Sequence, residues 1–209
     1  MFMKTIKIIV VFAVSALFIS SADAQRGVTK IDIGYSVSFP TSSFKDLVSD
    51  ASPRGVDLRI MHGITDKISV GFGTGFQDFY QKYPRQVYKL SDGSDISAVV
   101  SNSVQTVPLM ARFQYNFTPA SRVQPFVGAG VGGDMIMYHQ YLGEFADSKS
   151  SFAFQAQPTA GVYFPFREGG RTGLTLSGYY NIIPYKYNGT TNLNNFGVSL
   201  GISLPTKSY

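Results

Sequence analysis

Hydrophobic and polar residues alternate along most of the chain from residue 30 onward, which is the period of a β-strand with two unlike faces. The last segment shows the pattern most clearly: Phe196, Val198, Leu200, Ile202 and Leu204 are apolar, and the residues between them are small or polar. Seven earlier segments show the same pattern. It therefore predicts eight strands, at 31–39, 55–60, 68–77, 106–116, 123–137, 152–164, 174–182 and 195–204.

The connections between the predicted strands alternate in length. Long polar connections cover 40–53, 80–102, 139–150 and 184–194, with a short turn of helix expected at 44–49, whereas short turns cover 62–67, 118–122 and 167–171. If consecutive strands are antiparallel, all long connections lie at one end of the structure. Outer-membrane barrels have this asymmetry, with long extracellular loops and short periplasmic turns.

The composition of the two faces distinguishes a membrane barrel from a soluble one. A soluble eight-stranded barrel of the lipocalin kind turns its apolar face inward, and its outer face carries many charges of both signs. Here the polar faces consist mainly of Gly, Ser, Thr, Asn and Gln. We therefore expect an all-β fold, an eight-stranded antiparallel up-and-down transmembrane β-barrel with a lipid-facing apolar surface and an enclosed polar lumen.

Charged residues are sparse on the polar faces, and we expect them to form a polar network in the lumen: Asp32, Asp57, Arg59, Arg112 and Asp134. An unpaired charge in a narrow lumen costs several kcal/mol of desolvation, so both arginines are expected to pair with aspartates. The alternative is that some of these groups lie near a mouth of the barrel and are hydrated.

Aromatic residues gather near the ends of the predicted strands. Because aromatic girdles mark the two membrane interfaces of such barrels, we expect these rings to face the lipid headgroups. The candidates are Phe39, Phe79, Tyr80, Phe117, Tyr138, Phe164, Phe166 and Tyr185.

Residues 1–24 have the features of a secretory signal peptide. Lys4 and Lys7 precede an apolar run at 8–19, and Ala22-Asp-Ala24 has the form of a cleavage site. The run is shorter than the ~20 residues of a spanning helix; the alternative is a membrane anchor. Cleavage after Ala24 would leave one barrel domain, 25–209, without cysteine and thus without disulfides.

Charge adds little to this picture. The formal net charge is +5, or +4 without the signal peptide, and the basic residues are spread along the chain. We therefore expect no nucleic-acid partner.

Residues 128–133, GAGVGG, match the dinucleotide-binding pattern G-x-G-x-x-G. That motif needs a helix directly after the glycines, whereas residues 134–138 continue the strand alternation, so the match is accidental. The glycines instead form two files of small residues, each on one face of a strand: Gly71, Gly73, Gly75 and Gly128, Gly130, Gly132. We expect these files to leave lumen space for Arg112, Gln155 and Tyr179 and to ease the curvature of the barrel.

Three segments resemble the small eight-stranded outer-membrane β-barrel family, represented by the barrel domain of outer membrane protein A. Residues 125–132 are similar to the opening of that family's fifth strand, 107–117 resemble the strand before it, and 195–204 resemble the closing strand. The resemblance implies a bacterial outer-membrane location, insertion by the barrel-assembly machinery, and contact with outer-membrane lipid and lipopolysaccharide. The family often ends on an aromatic residue that the assembly machinery reads; Tyr209 is the candidate here.

The sequence offers little material for catalysis or metal binding. Its two histidines, His62 and His139, fall at opposite ends of the predicted barrel, and no acidic cluster has the spacing of a calcium loop. Lipid A-modifying barrel enzymes use a histidine with a serine or acidic partner, and His139 has candidates nearby: Glu144, Asp147, Ser148 and Ser150. No fixed spacing supports a triad, so we expect no enzymatic activity, cofactor or metal.

Three functions fit these features. The favoured one is a non-enzymatic outer-membrane barrel with a plugged polar lumen, which supports the envelope or binds a surface or envelope protein partner through four long extracellular loops. In one of these loops, Lys82, Arg85 and Lys89 could contact lipopolysaccharide phosphates or simply be solvated. The second function is a narrow pore, although side chains fill the interior of an eight-stranded barrel. The third is a lipid A-modifying enzyme.

Overall fold

The computed structural model describes residues 26–89, 95–142, 145–167, 170–187 and 189–206. The expected signal peptide at 1–24, Glu144 and Tyr209 lie outside the described residues. A short 3-10 helix at Ser42–Asp46 follows the first strand, in place of the helical turn expected at 44–49. The strands are β1 (Thr29–Pro40), β2 (Ser52–Gly63), β3 (Ile68–Lys82), β4 (Gln86–Lys89), β5 (Asp95–Ala98), β6 (Val100–Asn116), β7 (Gln124–Leu142), β8 (Phe145–Pro165), β9 (Gly173–Asn181), β10 (Pro184–Tyr187), β11 (Thr190–Asn192) and β12 (Asn195–Pro205).

Eight of these strands form a closed antiparallel barrel in the order β1-β12-β9-β8-β7-β6-β3-β2. Each barrel strand pairs with the next barrel strand along the chain, and β1 closes the barrel on β12. The remaining strands form two small hairpins, β4–β5 and β10–β11. The predicted eight-stranded up-and-down barrel is therefore confirmed. Within the described ranges, no helix is long and apolar enough to cross a membrane.

Apolar side chains cover the outside of the barrel and polar side chains line its inside. Phe72 is 66% exposed, Leu109 67% and Phe152 75%, whereas the inward-facing Gln155 and Ser199 are buried. A continuous band of exposed apolar residues is stable in contact with lipid rather than with water. The band is therefore the membrane-facing surface.

The strands at the long-loop end continue further than the sequence pattern predicts. The predicted loop at 139–150 is wrong, because β7 and β8 remain paired as far as Leu142 and Phe145. The predicted loop at 80–102 likewise contains the paired ends of β3 and β6, as far as Lys82 and Ser101, and the β4–β5 hairpin. Outside the membrane neither face of a hairpin must be apolar, so the alternation that marks a strand is lost there.

Pro108 interrupts the wall of the barrel between β3 and β6. Pairing of these strands stops at Thr74 and Leu109 and resumes at Gln77 and Thr106, because a proline lacks the N–H group that the strand ladder needs. The Thr74 hydroxyl donates a hydrogen bond to the Pro108 carbonyl at 2.8 Å. An unsatisfied carbonyl in a lipid-facing wall costs several kcal/mol, so the Thr74 side chain compensates for the interruption.

Replacing Thr74 by valine should therefore destabilise the barrel, since valine has the same shape but cannot donate to the Pro108 carbonyl. We expect the free energy of unfolding to fall by about 1–3 kcal/mol, measured by urea-induced unfolding in lipid vesicles. Thr74→Ser keeps the hydroxyl and is the matched control. Equal stability of the valine and serine variants would contradict the role assigned to this hydrogen bond.

Candidate functional site

An ion pair on β2 and a serine on β12 are connected inside the polar lumen. Arg59 Nε lies 3.4 Å from Asp57 Oδ2, and both side chains are largely enclosed. Ser199 on β12 donates a hydrogen bond to Asp57 Oδ1 at 2.5 Å. Nearer the short-turn end of the barrel, Ser203 donates a hydrogen bond to the buried carboxylate of Asp32. The structure thus brings together Arg59 and Asp57 from the expected network.

The other two residues of the expected network have different surroundings. Arg112 Nη2 donates to the amide oxygen of Gln157 at 2.6 Å, so its hydrogen-bond partner is an uncharged amide rather than an aspartate. Asp134 is 1% exposed, and within the described residues no ion pair joins it to Arg59 or Arg112. The five charged residues therefore do not form one continuous network.

Amide side chains connect β8, β9 and β12 inside the lumen, and of these residues the sequence pattern had assigned Gln155 to the lumen. Gln155 and Gln157 both donate to Asn181 Oδ1, at 2.8 and 2.7 Å, and Asn181 Nδ2 donates to Asn195 Oδ1 at 2.9 Å. Their positions on the polar faces were visible in the alternation. Their contacts were not, because they depend on how the strands lie in the closed barrel.

The two glycine files provide space of two kinds. A Cβ atom at Gly73 would collide with Arg112 Nε, and one at Gly130 would lie 3.2 Å from the flexible Met110 Sδ. A Cβ atom at any of the other four positions would instead meet a backbone carbonyl of the adjacent strand: Gly71 against Ile60, Gly75 against Val56, Gly128 against Phe113, and Gly132 against Leu109. Most of the glycines thus permit close approach of neighbouring strands.

Space for Tyr179 comes from a glycine outside the two files. A Cβ atom at Gly197, on the adjacent strand β12, would collide with the Tyr179 ring. The Tyr179 hydroxyl lies 3.0 Å from Ser38 Oγ on β1, two strands away in the barrel. Gly197 therefore makes room for a lumen side chain, as Gly73 does for Arg112.

An apolar cluster closes the lumen at the long-loop end, and we refer to it as the apolar cap. The ring of Phe44, from the 3-10 helix, packs edge-on against that of Phe79 with centroids 4.7 Å apart. Both rings are fully buried. The members of the apolar cap are Phe44, Leu47, Val48, Phe79, Val104, Ile136, Tyr138, Ala153, Ile183, Tyr185 and Leu193.

The apolar cap changes the assignment of the aromatic girdle. Phe79, Tyr138 and Tyr185 are buried in the cap, so their predicted position at the membrane interface is wrong. Phe164 and Phe166, in contrast, are exposed on the outside of the barrel, as are Phe39 and Tyr80. The sequence pattern locates a ring near a strand end, but near the mouth both faces of a strand carry apolar residues.

The histidines do not lie in a catalytic arrangement. His62 Nδ1 is 2.9 Å from Thr29 Oγ1 at the short-turn end. His139 lies opposite Ser103 and Ser148 in the strand ladder, yet within the described part of the chain it makes no hydrogen bond with either. Ser103 donates to Asp78 instead, at 3.1 Å. The serine and histidine from which the sequence could build a lipid A-modifying site are thus not hydrogen-bonded to each other.

Comparison with known proteins agrees with this architecture. A family model described as outer membrane protein beta-barrel domain matches residues 10–204. No curated protein sequence matches the chain. The fold is similar to that of neisserial surface protein A, with 16% identity, a TM-score of 0.53, and coverage of 85% of this chain and 95% of that one.

A second similar structure is Ail, the attachment invasion locus protein of Yersinia pestis, with 12% identity, a TM-score of 0.51, and coverage of 86% of this chain and 100% of that one. Ail in complex with the heparin analogue sucrose octasulfate is also similar, with 14% identity, a TM-score of 0.50 and the same coverage. At these identities the likeness concerns the fold alone.

The glycine geometry predicts different effects of two neighbouring substitutions. Gly132→Ala should impair folding, because the new methyl group meets the rigid Leu109 carbonyl, whereas Gly130→Ala needs only a small movement of the Met110 side chain. We expect Gly132→Ala to lower the free energy of unfolding by about 1–3 kcal/mol and to lower the yield of heat-modifiable, folded protein on gels. Gly130→Ala is the matched control. Equal yields of folded protein from the two variants would refute the close-approach explanation.

Proposed function

Because the chain belongs to the outer membrane protein beta-barrel domain family, we propose that it is a non-enzymatic bacterial outer-membrane protein whose sealed barrel presents an extracellular hairpin to a partner at the cell surface. The observation that carries the proposal is the length of β7 and β8, which have 19 and 21 residues, against 12 for β1. A transmembrane strand needs ~9–11 residues, so roughly 25 Å of paired strand, at ~3.3 Å per residue, extends beyond the membrane.

Contacts with the β10–β11 hairpin hold the projecting β7–β8 hairpin in place. The Tyr187 hydroxyl donates to Asp147 Oδ2 at 2.8 Å, and Lys149 Nζ lies 4.0 Å from the centre of the Tyr187 ring. The rings of Tyr187 and Tyr138 pack edge-on with centroids 5.5 Å apart. A surface that is ordered before binding loses less conformational entropy when a partner docks, which supports a recognition role.

The exposed residues of the hairpin favour a protein partner. Tyr141 is 47% exposed near its tip, and Asp147 and Lys149 supply charges of both signs. Exposed tyrosines are enriched at protein interfaces, and mixed charges suit a partner of mixed charge better than a polyanion. Arg54 lies over the Tyr80 ring, 5.5 Å from its centre, and its guanidinium pairs with Asp78 at 3.1 Å. Its exposed side makes it the candidate contact for a lipopolysaccharide phosphate.

Two features support this function over its alternatives. The apolar cap counts against a narrow pore, because water and ions would have to cross a layer of buried aromatic and aliphatic side chains. The missing hydrogen bond between His139 and its serine neighbours counts against a lipid A-modifying enzyme. The proposal therefore places the activity of the protein on its extracellular surface.

The proposed orientation predicts which residues a reagent outside the cell can reach. The chain has no cysteine, so a maleimide labels only the cysteine that is introduced. A membrane-impermeant maleimide should label Ser148→Cys, in the β7–β8 hairpin, on intact cells. Ser121→Cys, exposed in a short turn, is the matched control and should react only after the outer membrane is permeabilised. Labelling of Ser121→Cys on intact cells would show the reverse orientation.

Shortening the hairpin tests the function itself. Replacing residues 141–146 by an Asn-Gly turn removes the tip but keeps the Tyr187 contacts and the apolar cap. In a strain that lacks the gene, this variant should insert into the outer membrane and remain heat-modifiable. Cross-linking at the cell surface should recover a partner with the wild type but not with the shortened variant. If the shortened variant restores every defect of the deletion strain, the barrel wall is sufficient and the proposal is wrong. A lipid A change that depends on His139 would likewise contradict it.

A further inference from the structure

Several buried hydrogen-bond donors have no acceptor among the described residues, and three of them lie together in the lumen. They are Arg59 Nη2, Arg112 Nε and the hydroxyl of Thr159, and all three atoms are inaccessible to solvent. Arg59 is 96% buried, since its exposure is 4%. A buried donor on a charged group that lacks an acceptor is strongly unfavourable, so these atoms indicate that a hydrogen-bond acceptor belongs between them.

The three donors come from β2, β6 and β8 and face a common space. Arg59, Arg112 and Thr159 all line both a cavity of about 50 Å³ and a neighbouring one of about 10 Å³. The larger cavity exceeds the ~10–15 Å³ that one water molecule requires, so it has room for a small ion with water beside it. Gly73 makes this arrangement possible, because any side chain there would displace the Arg112 guanidinium.

The charges that line these cavities do not balance. Both arginines line the two cavities, whereas Asp57 is the one carboxylate that lines them among the described residues. Asp57 is already engaged by Arg59 and Ser199. One positive charge is therefore in excess among the side chains that line these cavities, which favours a monovalent anion over a neutral ligand or a cation.

A path to this space starts at the short-turn end of the barrel. The 10 Å³ cavity shares Met61, Gln114 and Phe126 with a third cavity of about 30 Å³, which Lys30, Asp32 and Tyr163 also line. Lys30 Nζ lies 4.3 Å from the centre of the Tyr163 ring, and Ser203 donates a hydrogen bond to Asp32. The lysine balances the charge of this carboxylate along the path, whereas the apolar cap closes the opposite end.

We infer that the lumen binds one small monovalent anion of about the size of chloride, held between Arg59 and Arg112 with the Thr159 hydroxyl as a third donor. The anion enters from the periplasmic side past Lys30. This site is independent of the hairpin surface, and it gives the lumen a ligand without making it a pore.

Bromide is the probe that locates such an anion, because its anomalous scattering distinguishes it from water. Crystals of the full-length barrel soaked in sodium bromide should show an anomalous peak within hydrogen-bonding distance of Arg59 and Arg112. In detergent solution, the midpoint of thermal unfolding should be higher in bromide or chloride than in gluconate at equal ionic strength. Ligand binding to the folded state alone produces this shift, and gluconate is too large for the cavity.

Variants test whether the proposed hydrogen-bond donors bind the anion. Thr159→Val keeps the shape of the side chain but removes the hydroxyl, and the affinity for bromide should fall about ten- to a hundredfold, as expected for a hydrogen bond to a charged ligand. Thr159→Ser keeps the hydroxyl and should bind bromide nearly as well as the wild type. Lys45→Gln removes an exposed positive charge outside the lumen, on the 3-10 helix, and should leave bromide binding unchanged.

Two results would overturn the inference. The first is a lumen that contains water and no anomalous peak, with bromide found on the outer surface or not at all. The second is an unfolding midpoint that is the same in chloride and in gluconate for the wild type and for Thr159→Val.

Discussion

Every backbone N–H and C=O group in the lipid-facing wall of the barrel needs a hydrogen-bond partner within the protein. The bilayer core offers no water to a free N–H or C=O group, so a sheet that faces lipid must close on itself. Here β1 pairs with β12 along its length and completes the barrel. Even at Pro108, where the ladder cannot continue, the Thr74 hydroxyl supplies the missing donor to the carbonyl.

Closure with eight strands then determines what the interior can contain. A barrel of this size has a lumen just wide enough for side chains, so each large residue inside needs a small one opposite or beside it. Gly73 makes space for Arg112 and Gly197 for Tyr179, while Gly71 and Gly132 let strands approach each other. The result is a lumen with hydrogen-bonded polar side chains and small cavities, closed at one end by the apolar cap.

The sequence predicts the fold where one face of each strand contacts lipid and the other faces the lumen. The sequence-based prediction fails where the two faces of a strand have similar surroundings. At 139–150 both faces of the hairpin are outside the membrane, so two paired strands have the composition of a loop. At the mouth the lumen becomes apolar, and Phe79 and Tyr138 therefore point inward although their position suggested the lipid interface. The contact of Arg112 with Gln157 was equally hidden, because it joins β6 to the non-adjacent strand β8 and depends on barrel curvature.

We propose that the barrel is sealed at its extracellular mouth and acts through its surface. Ion conductance of the purified, folded wild-type protein in planar lipid bilayers tests the seal, because water and ions that cross the barrel have to pass the buried side chains of the apolar cap. We expect no steady current above the bilayer baseline at any applied voltage that the membrane tolerates. A stable current that rises linearly with voltage would show a water-filled path through the cap and would contradict the account.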